Sequence, residues 1–322
     1  MSKHEFSDSH PPSDFKGYHA WEIHETRPKK YRDLVPKTPP VAEPDPKYVK
    51  LDGTARYLVE ERPNLGTGGM SEVFKGWDRK LGKAVAIKRL DQDLVGNLEF
   101  DNTIELEAKT LTRISHPGIP EVYDLIFTKD KEERNIGIMI MQYIDGEDLR
   151  SWMENHKEFN LSDLLQVVAQ TASTIDYMNS HGIVHRDIKP GNIMYAKPHV
   201  KIVDFGSSNW VLKTVAATPH YAPPEIFYNV ADSRTDEFSL AATAYFLLSN
   251  RLYPDLDDNQ PSDYIVTTIK DSMFNAKYKY QLSEKVCKRL IPILKKGLAY
   301  KPSERYQTSG EFAKVFCEVF KA

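Results

Sequence analysis

The chain holds 322 residues, the size of one large domain or two closely joined ones. An apolar fraction of 40% suffices for a core, and 28% charged residues with a formal net charge of −3 lack the basic excess of a nucleic-acid binder. Cys287 and Cys317 show neither a disulfide framework nor metal-ligand spacing, Met1–His10 is polar, and the apolar run Leu240–Leu248 is far short of the ~20 residues of a membrane span, so a cytoplasmic protein with no nucleic-acid or membrane partner is expected.

Residues 1–55 are set apart as a Pro-rich N-terminal extension. Eight of the twenty prolines lie in residues 1–50, and no helical or strand period survives there. That composition suits a disordered tail. Phe15, Tyr18, Trp21, Ile23 and Tyr31 suit instead a docking arm for the folded domain or a partner.

From Tyr57 to Leu90 three strands are predicted: Tyr57–Leu65, Ser71–Asp78 after a glycine-rich turn, and Lys83–Leu90 after a turn at Gly82. Ile104, Ala108, Leu111 and Ile114 recur at helical spacing and predict a helix closed by His116-Pro117-Gly118. A further strand is predicted over Ile136–Tyr143. After the turn signal Asp145-Gly146, an apolar stripe from Leu161 to Met178 predicts a helix that stops at His181-Gly182. Short strands at Ile193–Tyr195 and Val200–Val203 flank a turn containing Pro198, and residues 236–320 read as helices. The fold class is α+β, with a small β-rich lobe over 56–144 and a larger, mainly helical lobe over 145–322.

Leu65-Gly66-Thr67-Gly68-Gly69-Met70-Ser71-Glu72-Val73 joins two strands, and its glycines let backbone N–H groups approach phosphates without a Cβ between. No Gly-Lys-Ser/Thr opens a helix, as in a Walker loop, and a strand follows where a dinucleotide fingerprint has a helix. By itself the string also fits a flexible hairpin.

Lys88 ends Val85-Ala86-Ile87-Lys88, so its root is buried and its ammonium needs a partner. Glu107 falls between Ile104 and Leu111, inside the apolar face of the next helix. Glu105 is rotated about 200° away, toward solvent. The functional expectation is a Lys88–Glu107 pair that holds Lys88 toward ATP phosphates. A surface lysine and a solvated glutamate are the plainer alternative.

The most specific string is His185-Arg186-Asp187-Ile188-Lys189-Pro190-Gly191-Asn192. Asp187 can accept the proton of a substrate hydroxyl, Lys189 can neutralise a transferring phosphoryl group, and Asn192 offers an oxygen to Mg²⁺. Twelve residues on, Asp204-Phe205-Gly206 supplies a second oxygen ligand in Asp204, with Gly206 expected to permit a sharp turn.

In this order and spacing the strings resemble the eukaryotic-like protein kinases over about residues 57–320, and their wording is similar to bacterial Hanks-type Ser/Thr members. The resemblance implies the two-lobed kinase fold and transfer of the γ-phosphate of ATP to Ser/Thr hydroxyls of protein substrates, with Mg²⁺, or Mn²⁺ in its place. Lys189 is the Ser/Thr-type residue, and Thr218 would contact Asp187 and Lys189. Glu225 would pair with Arg305, and Asp236 would head a buried central helix.

Met141 matches the gatekeeper, and Gln142, Tyr143 and Ile144 the hinge that reads adenine. Val73, Ala86 and Met194 would sandwich the base, with Leu65, Gly66, Gly68, Gly69 and Ser71 over the nucleotide and Asp148 at the ribose. Ser71 stands where the family usually has a third glycine, Ala217 where it has glycine, and Pro223 where it has Ala or Ser. The last two put substrate preference in doubt. Thr214 is the expected autophosphorylation site. A nucleotide-binding scaffold without turnover should lack Lys88, Asp187 or Asp204, and all three are present. A small-molecule kinase should lack the complete glycine loop and the Glu225–Arg305 match.

Overall fold

Alternation explains the upper lobe. In the computed structural model, Val85 and Ile87 pack with Ile138 and Ile140 on one face of a sheet, while Ala86, Leu90, Met139 and Met141 join the core on the other. Successive strand residues point to opposite faces, so Lys88 shares the face of Ala86 and Leu90. Burial on both faces is why these strands read as continuous apolar runs. The structure describes residues 48–51, 55–60, 65–67, 71–90, 94, 102–129, 133, 135–155, 159–208, 218–228, 230–252 and 262–321. Gly68, Gly69, Thr214, Ala217 and, in the extension, Phe15, Tyr18, Trp21, Ile23 and Tyr31 lie outside them.

The upper sheet is antiparallel, in the order β1 (Tyr48–Lys50), β2 (Tyr57–Glu60), β4 (Ser71–Asp78), β5 (Lys83–Leu90), β7 (Asn135–Gln142), β6 (Val122–Lys129), with β3 (Gly66–Thr67) paired to β4. Helix α1 (Thr103–Leu111) lies between β5 and β6 in the chain and packs on β5, β6 and β7.

Three expectations are corrected. The boundary at 55/56 cuts a hairpin: Tyr48–Lys50 pairs with β2, and Leu51 is buried in the core behind the sheet. Strand β2 stops at Glu60 rather than Leu65, with Gly66 and Thr67 pairing separately to Val73 and Glu72. Helix α1 stops at Leu111, because Arg113 and Ile114 donate to carbonyls three residues back and tighten the chain ahead of Pro117. Strand β6 was not expected. Its residues are mostly half-buried and its register shifts between Val122 and Asp124, so no clean alternation marks it.

The lower lobe opens with β8 (Glu147–Asp148), α2 (Leu149–Asn155) and α3 (Leu161–Ser180). Asn160 caps α3 by accepting the Asp163 N–H, and Asp163 answers by accepting the Asn160 N–H. Gly182, at φ +73°, ends the helix in a left-handed conformation. Strands β9 (Ile193–Ala196) and β10 (His199–Ile202) complete a three-stranded sheet with β8.

Then follow α4 (Ser233–Ser249), α5 (Ser262–Lys279), α6 (Glu284–Gly297) and α7 (Ser309–Glu318). Helix α4 is buried from Thr235 to Tyr245, its polar residues Thr235, Asp236, Glu237, Ser239 and Thr243 included, so it is enclosed on all sides. Asp176 of α3 accepts the N–H groups of Ser309 and Gly310, both at 2.9 Å, and ties α7 to the centre. Among the described residues, no helix is long and apolar enough to cross a membrane.

Candidate active site

Strand β5 delivers Lys88 to the sheet face that meets α1. Its Nζ donates to both carboxylate oxygens of Glu107, at 2.8 and 2.6 Å, and to Asp204 Oδ1 at 2.8 Å. Lys88 and Glu107 are buried, while the Asp204 side chain is 40% exposed to the cleft. Burial disfavours the Lys88 ammonium, but the Asp204 and Glu107 carboxylates outweigh it and hold the group above its ordinary value. The Lys88 charge in turn pulls Asp204 down to about 2, so Asp204 is ionised at neutral pH. Burial raises Glu107, with Lys88 opposing. Glu105 lies on the outer side and pairs with Lys109 at 2.5 Å.

The second cluster sits on the loop after α3. Asp187 Oδ2 accepts from Lys189 Nζ at 2.6 Å and Asn192 Nδ2 at 2.9 Å, and Oδ1 accepts from Thr218 Oγ1 at 3.0 Å. Lys189 Nζ also donates to Thr218 Oγ1 at 2.7 Å. Burial raises Asp187 above the ordinary carboxylate range, and the Lys189 ammonium opposes the rise. Because the Asn192 amide nitrogen is spent on Asp187, its Oδ1 is left as an acceptor. Asp204, with Oδ1 on Lys88, keeps Oδ2. Two oxygen donors on adjoining elements fit a hard divalent cation such as Mg²⁺.

This loop is held from beneath. Arg186 adopts φ +70° and Asp204 φ +67°, a left-handed conformation costing a non-glycine residue ~1–2 kcal/mol. Asp236, in the first turn of α4, accepts the His185 and Arg186 N–H groups, each at 2.8 Å, which stabilises the first of these bends. Burial pushes Asp236 up to about 6, against the pull of those two amides. His185 is driven down to about 4 by burial and is neutral, packed edge-on against the buried Phe205. Gly206 was expected to supply the sharp turn, yet the positive φ is on Asp204. A Cβ at Gly206 would meet Asp204 Oδ1 at 3.5 Å, ordinary contact. Further along, Glu225 and Arg305 form a two-pronged pair, both contacts 2.7 Å, and Arg305 spends its remaining donors on the Ala299, Tyr300 and Arg234 carbonyls.

Between the clusters lies a cleft of about 350 Å³. Val73, Ala86 and Met194 line it with Met141 and the segment Gln142, Tyr143 and Ile144, and Lys88, Asn192 and Asp204 stand at its polar end. Leu65, 49% exposed, and Ser71, buried, line its mouth. Gly66 is paired in β3. Asp148 lines the cleft too, but its carboxylate is engaged: Oδ1 accepts the Arg150 and Ser151 N–H groups, each at 3.0 Å, and Oδ2 the Ser151 hydroxyl at 2.7 Å. It therefore caps α2, which qualifies the expected ribose contact. Sequence reasoning missed Pro120, Arg150, Ser151, Gly191 and Val203, which also line the cleft. Val203 had a local signal in the apolar strand leading into Asp204, and Gly191 had one in its place beside Asn192 in the loop string.

A protein kinase domain model matches residues 59–317. The chain is 31% identical over 260 residues to the serine/threonine-protein kinase PknB of Mycolicibacterium smegmatis, covering 77% of this chain and 40% of that one. It is 31% identical over 216 residues to PknA of Mycobacterium tuberculosis, covering 63% and 48%. The chain thus spans less than half the length of these curated relatives. The crystal structure of the M. tuberculosis PknI kinase domain is 26% identical, with a TM-score of 0.62 over 84% of this chain and 100% of that one. With its lobes, its cleft and a match over most of its length, the chain belongs to the protein kinase domain family.

Proposed function

We propose that this chain is a Ser/Thr protein kinase that transfers the γ-phosphoryl group of ATP to hydroxyls of protein substrates. One observation carries the reading: Lys88, Asp204 and Asn192 line a single cleft, with Glu107 bonded to Lys88, Asp187 to Asn192, and Lys189 and Thr218 to Asp187. The apolar walls formed by Val73, Ala86 and Met194 suit an adenine ring, with the Gln142–Ile144 backbone reading its edge. The relatives named serine/threonine-protein kinases support the same activity.

Lys88, fixed by Glu107, grips phosphate oxygens, and the backbone at Gly66 and Ser71 lies over the same end of the nucleotide. Asn192 and Asp204 would hold Mg²⁺, which supplies charge neutralisation at the phosphates. Asp187 orients the acceptor hydroxyl and takes its proton. Lys189 faces the charge of the transferring group, and Thr218 fixes both side chains. Catalysis here is positioning plus preorganised charge.

Autophosphorylation on Thr214, a docking role for residues 1–50 and cytoplasmic residence are further parts of the proposal. The free thiols of Cys287 and Cys317 suit a reducing compartment. Thermal-shift titration with Mg²⁺-ATP, run beside a γ-phosphate transfer assay on wild type and Asp187→Ala, tests the reading. Binding by both proteins with transfer by wild type alone is expected. Equal transfer by both proteins would remove Asp187 from its role, and binding without transfer by wild type would mark a scaffold.

A further inference from the structure

The loop from Ser115 to Pro120 joins α1 to β6, so its neighbours on both sides belong to the upper lobe. Its own bonds nevertheless run to the lower lobe. Lys201 Nζ, on β10, donates to the Pro117 carbonyl at 2.6 Å and to the Ile119 carbonyl at 2.9 Å. The next residue, Ile202, donates its N–H to the Gly118 carbonyl between them at 2.8 Å. Tyr177 of α3 accepts the Ser115 N–H on its hydroxyl at 3.0 Å and stacks on the His116 ring. Gly118 lies so close to α3 that a Cβ there would come 2.0 Å from Thr174 Oγ1, a contact only glycine avoids.

This anchorage reaches the site along two paths. Backward in the chain, Thr112, Arg113 and Ile114 donate to the Ala108, Thr110 and Leu111 carbonyls, so the pinned loop fixes the C-terminal end of the helix that carries Glu107. Forward, Asp204 lies three residues after Lys201. The paths meet again at the site: Glu107 Oε1 accepts the Phe205 N–H at 3.1 Å, and Lys88 bridges Glu107 and Asp204. The contacts therefore close a ring that runs from Lys201 through the loop, α1 and Glu107 to the Asp204 turn and back along β10. A ring made of a rigid helix, a strand and hydrogen bonds transmits a displacement at one point to the others. Lys201 itself is not among the residues that line the cleft, whereas Pro120, at the end of the loop, is.

We propose that Lys201 is a positioning residue: by pinning the α1–β6 loop it holds the Glu107 carboxylate in register with the Asp204 turn, and so sets how Lys88 and Asp204 meet phosphate and metal. The inference rests on the kinase reading above and adds to it a residue that touches neither nucleotide nor acceptor. Hydrogen bonds from a charged donor are stronger than neutral ones, and removing this ammonium strips a partner from two carbonyls at once. Its loss frees the end of α1 and leaves Asp187, Lys189, Asn192 and Thr218 with all their mutual bonds.

Steady-state transfer to a Ser-containing peptide and calorimetric titration with Mg²⁺-ATP, both on the full chain, test this. The comparison uses wild type, Lys201→Met, Lys201→Arg, Glu107→Ala and the double variant Lys201→Met with Glu107→Ala. Lys201→Met should raise the KM for ATP, the half-saturating Mg²⁺ concentration and the calorimetric Kd by about tenfold, the weight of one charge-assisted hydrogen bond. The acid limb of kcat, which Asp187 sets, should stay in place. Lys201→Arg, whose fork still reaches carbonyls, should restore most of the affinity. Without Glu107 there is no carboxylate to position, so adding Lys201→Met to Glu107→Ala should cost less than about twofold more. A folded Lys201→Met protein with unchanged KM and Kd, equal losses in Lys201→Arg and Lys201→Met, or the full loss on top of Glu107→Ala would each overturn the proposal. Should Lys201→Met fail to fold, Tyr177→Phe, which removes only the acceptor of the Ser115 N–H, carries the test: a Kd raised about threefold supports the proposal and an unchanged Kd overturns it. Mg²⁺-ATP binding that depends on Lys201 in a wild type that transfers nothing would instead overturn the kinase reading alone.

Discussion

The two charged clusters of the cleft are built differently. Lys88 reaches partners 19 and 116 residues away, on α1 and on the turn after β10, so its cluster needs both lobes in one arrangement. Asp187 draws Lys189 and Asn192 from its own loop, and only Thr218 comes from farther along. Asp236 then props that loop from beneath. The lower cluster is therefore a rigid local device, whereas the upper one registers where α1 sits. A shift of α1 would break the Lys88 pair and leave Asp187 with all its partners.

The largest expected effect breaks the lower cluster without touching the fold. Asp187→Asn keeps the shape but removes the proton acceptor, and transfer should fall ~10³-fold, within the range for loss of a general base. Melting temperature and Mg²⁺-ATP affinity should stay near wild type. Lys88→Met should differ in kind. It strands Glu107 in the core beside Asp204, and breaking a buried pair costs ~3–5 kcal/mol. Denaturant unfolding should show that loss together with weakened nucleotide binding. If Lys88→Met proved as stable as Asp187→Asn, the contrast between the clusters would fail.

A pH profile sharpens the comparison further. Burial raises Asp187, and the group works only when ionised. Activity should therefore fall as pH drops through its pKa, with the acid limb of kcat above the ~3.9 of an ordinary aspartate. Removing the opposing ammonium in Lys189→Met should move that limb higher still. An unmoved limb would show that another group sets it.

The smallest effect concerns two neighbours on α4. Asp236 is buried and receives two amide bonds, while Glu237 is buried with neither carboxylate oxygen hydrogen-bonded. Burial pushes Glu237 up to about 9, so the folded protein keeps a proton that the unfolded chain releases above its ordinary ~4.3. Stability from this residue should be complete below that lower value and decline as pH rises toward 9. Glu237→Gln should remove the decline, and its melting temperature should overtake that of wild type by a margin growing from pH 5 to pH 9. A constant margin would contradict the neutral glutamate.

Much of this was legible in the sequence where chemistry is local. Asp187, Lys189 and Asn192 lie within six positions, and a loop that short leaves them few ways to avoid each other. The Lys88–Glu107 contact was legible for another reason: a lysine on a buried strand and a glutamate on an apolar helix face each need a partner. What the sequence hid depended on three-dimensional neighbours. Strand β6 lost its alternation to a register shift, and Tyr48–Lys50 sits among prolines that read as a tail. Asp148 looked free for a ribose because the α2 amides it caps belong to a seven-residue helix with no stripe to announce it.

The most direct measurement is transfer of label from γ-³²P-ATP by the purified chain, followed by identification of the phosphorylated amino acids. With Mg²⁺ present, phosphoserine or phosphothreonine should form without phosphotyrosine, and none should form when the metal is chelated or Asp187 is replaced by Asn. Label on tyrosine, or undiminished label from the Asp187→Asn protein, would contradict the account.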